Sequence, residues 1–465
     1  MRRHLLPAIL ALLCVSSTAA ALRAGPGADE SRPAATVAAE APVLTPRRVP
    51  NLLAQPVGTA RLVQTLDTIA ATRPDSACLV VTEGPRVLYD RQGERPLVPA
   101  SGMKLLTATA VLAHLDPEEQ LRTSVVAAGA PVDGVVEGDL WMVGGGDPVL
   151  GTAPWAAHFV RQPALFTPLE ELAERIVGAG VSEVRGRIVG DESRYDKVRY
   201  VESWPERYAA ENQIGPMSAL SVNDGFADWE LPAVAFSDPA AGAAGVLTAL
   251  LRERGVVVTG EAGAGTAPAE AVPVASIDSP PVAELVADML RESDNGTAEL
   301  LLKELGLRVG GTGSTAAGRT VVADTLASLG LPTDGLAVVD GSGLDPTNQV
   351  TCQLLHDMLE DTVAGGPVDR GLAVAGSSGT LARRFLDTPA LGALRAKTGS
   401  LRGVASLSGF VESQGGTELT FASIFNGIDR IDDGIPLQDL LGTALVRYPD
   451  LPTLAEIGPE GYGPD

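Results

Sequence analysis

The sequence predicts an α+β protein: one antiparallel sheet closed by both ends of the chain, helices packed on it, and a large, mostly β insertion. Three observations predict it. Alternating β-rich runs stand at Ala77 to Asp90 and again at Gly403 to Phe425. Helical periodicity fills much of the chain between them, and from about Ala128 to Ser276 the texture changes to short runs rich in Gly, Pro and Val.

Arg2 and Arg3 precede an apolar run from Leu5 to Val15 and then small residues through Ala21, which reads as an export signal over residues 1–21. The run is shorter than the roughly 20 residues a spanning helix needs, so no stable membrane span is expected after cleavage. Leu13 before Cys14 is too large for a lipid-modified cysteine. Residues 22–60 are rich in Ala and Pro without apolar periodicity and read as a disordered stalk.

The folded part begins near residue 61. Ala77 to Thr82 and Arg86 to Asp90, with Glu83-Gly84-Pro85 between them, predict a hairpin that hands the chain to a helix starting around Ser101. Residues 128–276, with runs such as Leu140 to Val143, Val184 to Val189 and Val256 to Val258, predict a separately folded insertion. The main domain is therefore discontinuous, 61–127 and 277–450, followed by a tail at 451–465. In its second part Val282 to Arg291 and Ala298 to Leu305 read as helices, and a last helix runs from about Ile435 to Arg447.

Composition excludes some partners. With 58 acidic residues against 35 basic, the net charge is −23, and basic residues cluster no further than pairs such as Arg383-Arg384. Nucleic acid is not an expected partner, nor is an anionic membrane surface. Gly144-Gly145-Gly146-Asp147-Pro148 lacks the Lys-Ser/Thr of a phosphate-binding loop and reads as a tight turn; Gly310 to Thr315 reads as a loop ending in a helix cap. No cofactor or metal is called for. After export only Cys78 and Cys352 remain; an oxidising compartment permits a disulfide, whereas their apolar surroundings equally suit buried thiols.

Three short motifs carry chemistry. Ser101 and Lys104 lie one helical turn apart on one face, and a lysine in an apolar wall has its pKa lowered until it can take the serine's proton. Ser293-Asp294-Asn295 falls in the turn between two helices, where the hydroxyl can relay a proton and the amide can bind a substrate amide. Lys397-Thr398-Gly399-Ser400 lies on an extended segment, where Lys397 and Gly399 share a face. The lysine would set charge over a substrate carboxylate, the glycine would let substrate lie close, and backbone N–H groups of Ser101 and Ser400 could form an oxyanion hole. A competing pair, Ser221 and Asn223, sits in the insertion beside an Asn-Asp-Gly turn and reads as structural.

S-x-x-K, S-D-N and K-T-G in this order are the signature of penicillin-binding proteins and class A β-lactamases. From about Ala60 to Arg447 the chain resembles the D-alanyl-D-alanine carboxypeptidase/endopeptidase family related to penicillin-binding protein 4, peptidase family S13. Gly144 to Pro148, Ala219 to Asn223, Ala298-Glu299, Asp340 to Leu344 and Arg395 to Gly399 are similar to its recurrent segments. The resemblance implies a transpeptidase-like domain, an antiparallel sheet with helices and a helical subdomain, bearing an insertion that class A β-lactamases lack. It also implies catalysis by Ser101, Lys104 and Ser293 and substrate binding by Asn295, Lys397, Thr398 and Ser400. The expected partners are peptidoglycan stem peptides, with β-lactams as acylating inhibitors, in the extracytoplasmic cell-wall space. Gly296 departs from the family, where a larger residue is common, and Ser400 replaces a common threonine. The alternatives are a β-lactamase or esterase with the same triad, although no Glu-x-x-Leu-Asn segment of the class A kind is evident, and a catalytically silent wall-binding protein.

Overall fold

The computed structural model describes residues 50–72 and 76–451. The expected export signal, residues 22–49 of the stalk and the tail beyond residue 451 lie outside them.

The predicted hairpin forms from strands Ala77–Glu83 and Arg86–Arg91. From the far end of the chain come Leu394–Leu401, Val404–Glu412 and Glu418–Asn426, and the last of these pairs antiparallel with Ala77–Glu83, Cys78 lying opposite Ile424. With the short strand Ala373–Val374 outermost, the result is a six-stranded sheet. Side chains alternate across it, so each strand feeds two cores. Cys78, Val80, Ala422 and Ile424 join Leu105, Leu106, Met289 and Leu355 on one face. Leu79, Val81, Phe421 and Phe425 pack on the other face with Leu62, Leu66, Leu441 and Leu445.

That second face is covered by the helices Pro50–Ala70 and Ile431–Arg447. The first eleven residues of this first helix, 50–60, fall within the stretch read as stalk. Its apolar stripe, Leu62, Leu66 and Ile69, comes late, and the Pro- and Gly-containing turns before it carry no amphipathic signal. On the opposite face the helix Met103–His114 lies among Val282–Glu292, Asn295–Arg308, Thr315–Ser328 and Cys352–Glu360. Ser314 caps Thr315–Ser328, its hydroxyl accepting from the Ala317 N–H at 3.2 Å, as the Gly310 to Thr315 stretch suggests.

Cys78 and Cys352 form a disulfide across 274 residues, tying the sheet to the helix Cys352–Glu360. A cross-link closing so long a loop removes conformations chiefly from the unfolded chain. A Cys78→Ala/Cys352→Ala double variant is therefore expected to lose about 2–5 kcal/mol in a denaturant titration. Coincident midpoints for variant and wild type would contradict this.

The inserted region is mixed rather than mostly β. Leu169–Gly178 and Pro239–Glu253 are helices whose buried residues, among them Leu172, Ile176, Leu247 and Leu251, pack with Val125, Leu140 and Ile188. The Ala- and Gly-rich run Pro239-Ala240-Ala241-Gly242 hides the second helix from composition, but Pro239 at its first turn and the Asp238 cap, which accepts from the Ala241 N–H at 3.0 Å, start it. A five-stranded sheet that reaches past both expected bounds of the insertion runs in the order Gly263–Ala264, Ile188–Asp191, Leu140–Val143, Gln120–Ala127 and Val272–Pro281, with parallel and antiparallel neighbours. A salt-bridged seam holds the region to the helix Asn295–Arg308: the Arg194 guanidinium grips the Glu304 carboxylate at 2.9 and 2.5 Å, and the Tyr195 hydroxyl donates to it at 2.8 Å.

Candidate active site

Ser101 sits in a single 3-10 turn, Ala100–Gly102, that opens the helix Met103–His114. Three residues on, Lys104 is fully buried, and its Nζ has three neighbours: Ser101 Oγ at 3.0 Å, Asn295 Oδ1 at 2.7 Å and the Ser342 carbonyl at 2.7 Å. An ammonium donates to all three. A neutral amine donates two hydrogens to the acceptor-only oxygens of Asn295 and Ser342, which turns its lone pair to the Ser101 hydroxyl.

Ser293 ends the helix Val282–Glu292 in the left-handed conformation, φ +64°, and Asp294 caps the next helix by accepting from the Thr297 N–H at 2.6 Å. Asn295 thus stands at the first turn of Asn295–Arg308, three residues before the helix expected from periodicity. The turn presents the Ser293 hydroxyl to Lys397, whose Nζ donates to it at 2.9 Å and to the Thr398 carbonyl at 2.9 Å. Lys397, Thr398 and Ser400 lie on Leu394–Leu401; Thr398 Oγ1 donates to Thr380 Oγ1 at 2.7 Å, and Ser400 is exposed. Two lysine–serine contacts, with Asn295 reaching Lys104, therefore converge from a helix start, an inter-helix turn and a strand.

The model of the D-Ala-D-Ala carboxypeptidase 3 (S13) family matches residues 62–233 and 230–435. The chain belongs to this family. It is 30% identical to the D-alanyl-D-alanine carboxypeptidase of Actinomadura sp. strain R39 over 84% of this chain and 86% of the relative. With carboxypeptidase DacB of Mycolicibacterium smegmatis it shares 32% identity over 90% and 91% of the two chains. The fold is that of penicillin-binding protein 4 from Haemophilus influenzae, with a TM-score of 0.69 at 20% identity, covering 83% of this chain and 98% of that one.

In this S13 family member the two lysines have unusual electrostatics. Burial holds the Lys104 amine at about 8 against an ordinary 10.5, while Asp294, Asp340 and Glu299 pull it back up. Burial and the nearby charge of Lys104 hold the Lys397 amine well below its ordinary value, opposed by Glu292.

Gly399 serves a different purpose from the one expected. A Cβ there would fall 2.2 Å from Ser406 Oγ and 2.6 Å from the Pro99 carbonyl, so the missing side chain lets the strand lie against the protein's own Ser101 turn rather than against substrate. Gly343 does likewise from the other side: with φ +84°, its Cβ would meet the Ala100 carbonyl at 1.9 Å. At Gly296, a side chain would come 3.3 Å from Asp224 Oδ1. Asn223 accepts from the Thr152 N–H and hydroxyl at 2.8 and 3.2 Å and so braces the insertion.

Residues that no motif marked complete the site. The Gln213 carbonyl accepts from Asn295 Nδ2 at 2.7 Å, which brings the insertion to the Ser293-Asp294-Asn295 turn. Ser342 supplies its carbonyl to Lys104 from the Asp340 to Leu344 segment, whose family resemblance was the one available signal. A cavity of about 760 Å³ adjoins the site through Asp294 and Thr297 and is walled by Trp155, Phe159, Arg291 and Ser378; neither Ser101 nor Lys397 lines it.

Proposed function

We propose that this chain is an exported serine DD-peptidase that cleaves the D-Ala-D-Ala bond of peptidoglycan stem peptides, or cross-links ending in D-alanine, through a Ser101 acyl-enzyme. Residues 61–127 and 277–450 would form its catalytic domain, with 128–276 inserted. The arrangement around Lys104 Nζ carries the reading: two acceptor-only oxygens orient the amine so that its free pair meets the one hydroxyl.

The Lys104 amine takes the Ser101 proton as Oγ attacks the carbonyl of the penultimate D-alanine. Backbone N–H groups of Ser101 and Ser400 receive the oxyanion. Ser293, held by Lys397, passes a proton to the departing amine of the terminal D-alanine, and its own proton is replaced from the Lys104 ammonium. Lys397, Thr398 and Asn295 bind substrate; a carboxylate arriving beside Lys397 draws that amine back to its charged form. Water then attacks the acyl carbon as Lys104 takes its proton, and Lys104 returns that proton to Ser101 Oγ as the acyl bond breaks, which restores both groups. A β-lactam presents a strained amide to the same serine, and the Haemophilus influenzae relative has been crystallised with a β-lactam.

Purified protein should release D-alanine from a stem pentapeptide, split D-alanine-terminated cross-linked dimers, or do both, and should turn penicillin over slowly. A digest of defined muropeptides that yields neither product would overturn the proposal. Fast penicillin turnover would favour the β-lactamase alternative.

A further inference from the structure

Glu299 lies one helical turn beyond Asn295, on the same face of Asn295–Arg308, and is fully buried. Its Oε1 accepts from the N–H groups of Gly341 at 3.0 Å and Ser342 at 2.7 Å. Those two residues are also tied to the Ser101 helix, because the Gly341 carbonyl accepts from Thr107 Oγ1 at 2.7 Å and the Ser342 carbonyl from Lys104 Nζ at 2.7 Å. One helix face thus grips Lys104 twice, directly through Asn295 and indirectly through Glu299 and the Ser342 carbonyl. Among the described residues Glu299 Oε2 has no hydrogen-bond partner, and the cation acting on this carboxyl is Lys104.

We propose that Glu299 is a positioning residue for acylation, fixing the Ser342 carbonyl that orients Lys104 and setting, by its own charge, how firmly Lys104 holds its proton. The inference rests on Ser101 being the nucleophile and Lys104 its base.

A glutamine would accept the same two N–H bonds, so geometry alone does not require an acid here. The charged groups around the pair explain what an acid adds. Asp340 acts on Glu299 from the Asp340 to Leu344 segment, Asp294 acts on Lys104 from the inter-helix turn, and Lys104 in turn acts on Lys397 on the strand. Asp340 is itself satisfied by Trp204 Nε1 and Asn348 Nδ2, each at 2.8 Å, and by two backbone N–H groups. Burial, reinforced by Asp340, raises the Glu299 carboxyl to about 8, the range to which burial lowers Lys104. When Glu299 is ionised it holds the proton on Lys104; when it is protonated it lets that proton go.

The test measures second-order acylation by a fluorescent penicillin from pH 6 to 10, with folding checked by thermal melting. Glu299→Gln keeps the shape and the acceptor but removes the charge. It is expected to retain the plateau rate within about threefold and to move the midpoint of the acid limb to lower pH by up to about 0.5 unit, with little change well below pH 8, where the wild-type carboxyl is already protonated. Glu299→Ala, which frees the Ser342 carbonyl and leaves two buried N–H groups unpaired, should lose at least about tenfold across the whole range. A Glu299→Gln profile superimposable on wild type, in protein still labelled at Ser101, would overturn this inference alone. Labelling of a Ser101→Ala variant would instead strike the reading beneath it.

Discussion

With Ser101 replaced by alanine, purified protein is expected to take up no labelled penicillin, whereas wild type gains the mass of one adduct. D-alanine release should fall by about 10⁴–10⁶-fold, the scale on which removing a serine nucleophile acts. The fold should survive. Among the described residues the Ser101 side chain is bonded by Lys104 alone, and Lys104 keeps its bonds to Asn295 and the Ser342 carbonyl when that hydroxyl is gone. The loss of one partly exposed hydrogen bond is worth about 1 kcal/mol. Matching melting curves with abolished labelling would therefore separate chemistry from stability. An adduct on the variant would sink the assignment of Ser101.

What could be read beforehand was what depends on short spacings. Ser101 and Lys104 meet because residues three apart share a helix face, and the hairpin and the two C-terminal strands follow from alternation. Five strands of the six-stranded sheet were legible, as the hairpin, the two C-terminal strands and the extended Lys397 segment, whereas the two-residue edge strand Ala373–Val374 is too short to show a pattern. Contacts made across long separations were not legible. The Gln213 carbonyl reaches Asn295 over 82 residues, and the Ser342 carbonyl reaches Lys104 over 238, and a backbone oxygen has no residue type to advertise it. The Cys78–Cys352 pairing stayed open for the same reason, since bridging depends on a Cα separation, here 5.9 Å, that no spacing encodes. Gly399 was misassigned in its partner rather than in its need for closeness: alternation set its face correctly, but only the tertiary fold brings Pro99 and Ser406 to that face.

Lys104→Arg should separate base catalysis from mere positive charge at the same place. Arginine keeps the charge but does not give up its proton in a protein, so it has no lone pair to offer Ser101. Acylation by penicillin is expected to fall by about 10²–10⁴-fold, the usual worth of a general base. With Lys104 as the proposed base, the active fraction in wild type is the neutral amine. Because burial lowers this amine to about 8, the acylation rate should rise about tenfold per pH unit below that value and level off above it. Had the amine kept its ordinary 10.5, the same limb would extend far into alkaline pH and little base would be present near neutrality. The Arg variant should lose the limb along with the rate. A limb that persists with unchanged midpoint in Lys104→Arg would assign the titration to another group. Lys397 is the next candidate, because its amine is also held down by burial and its Nζ already touches the Ser293 hydroxyl.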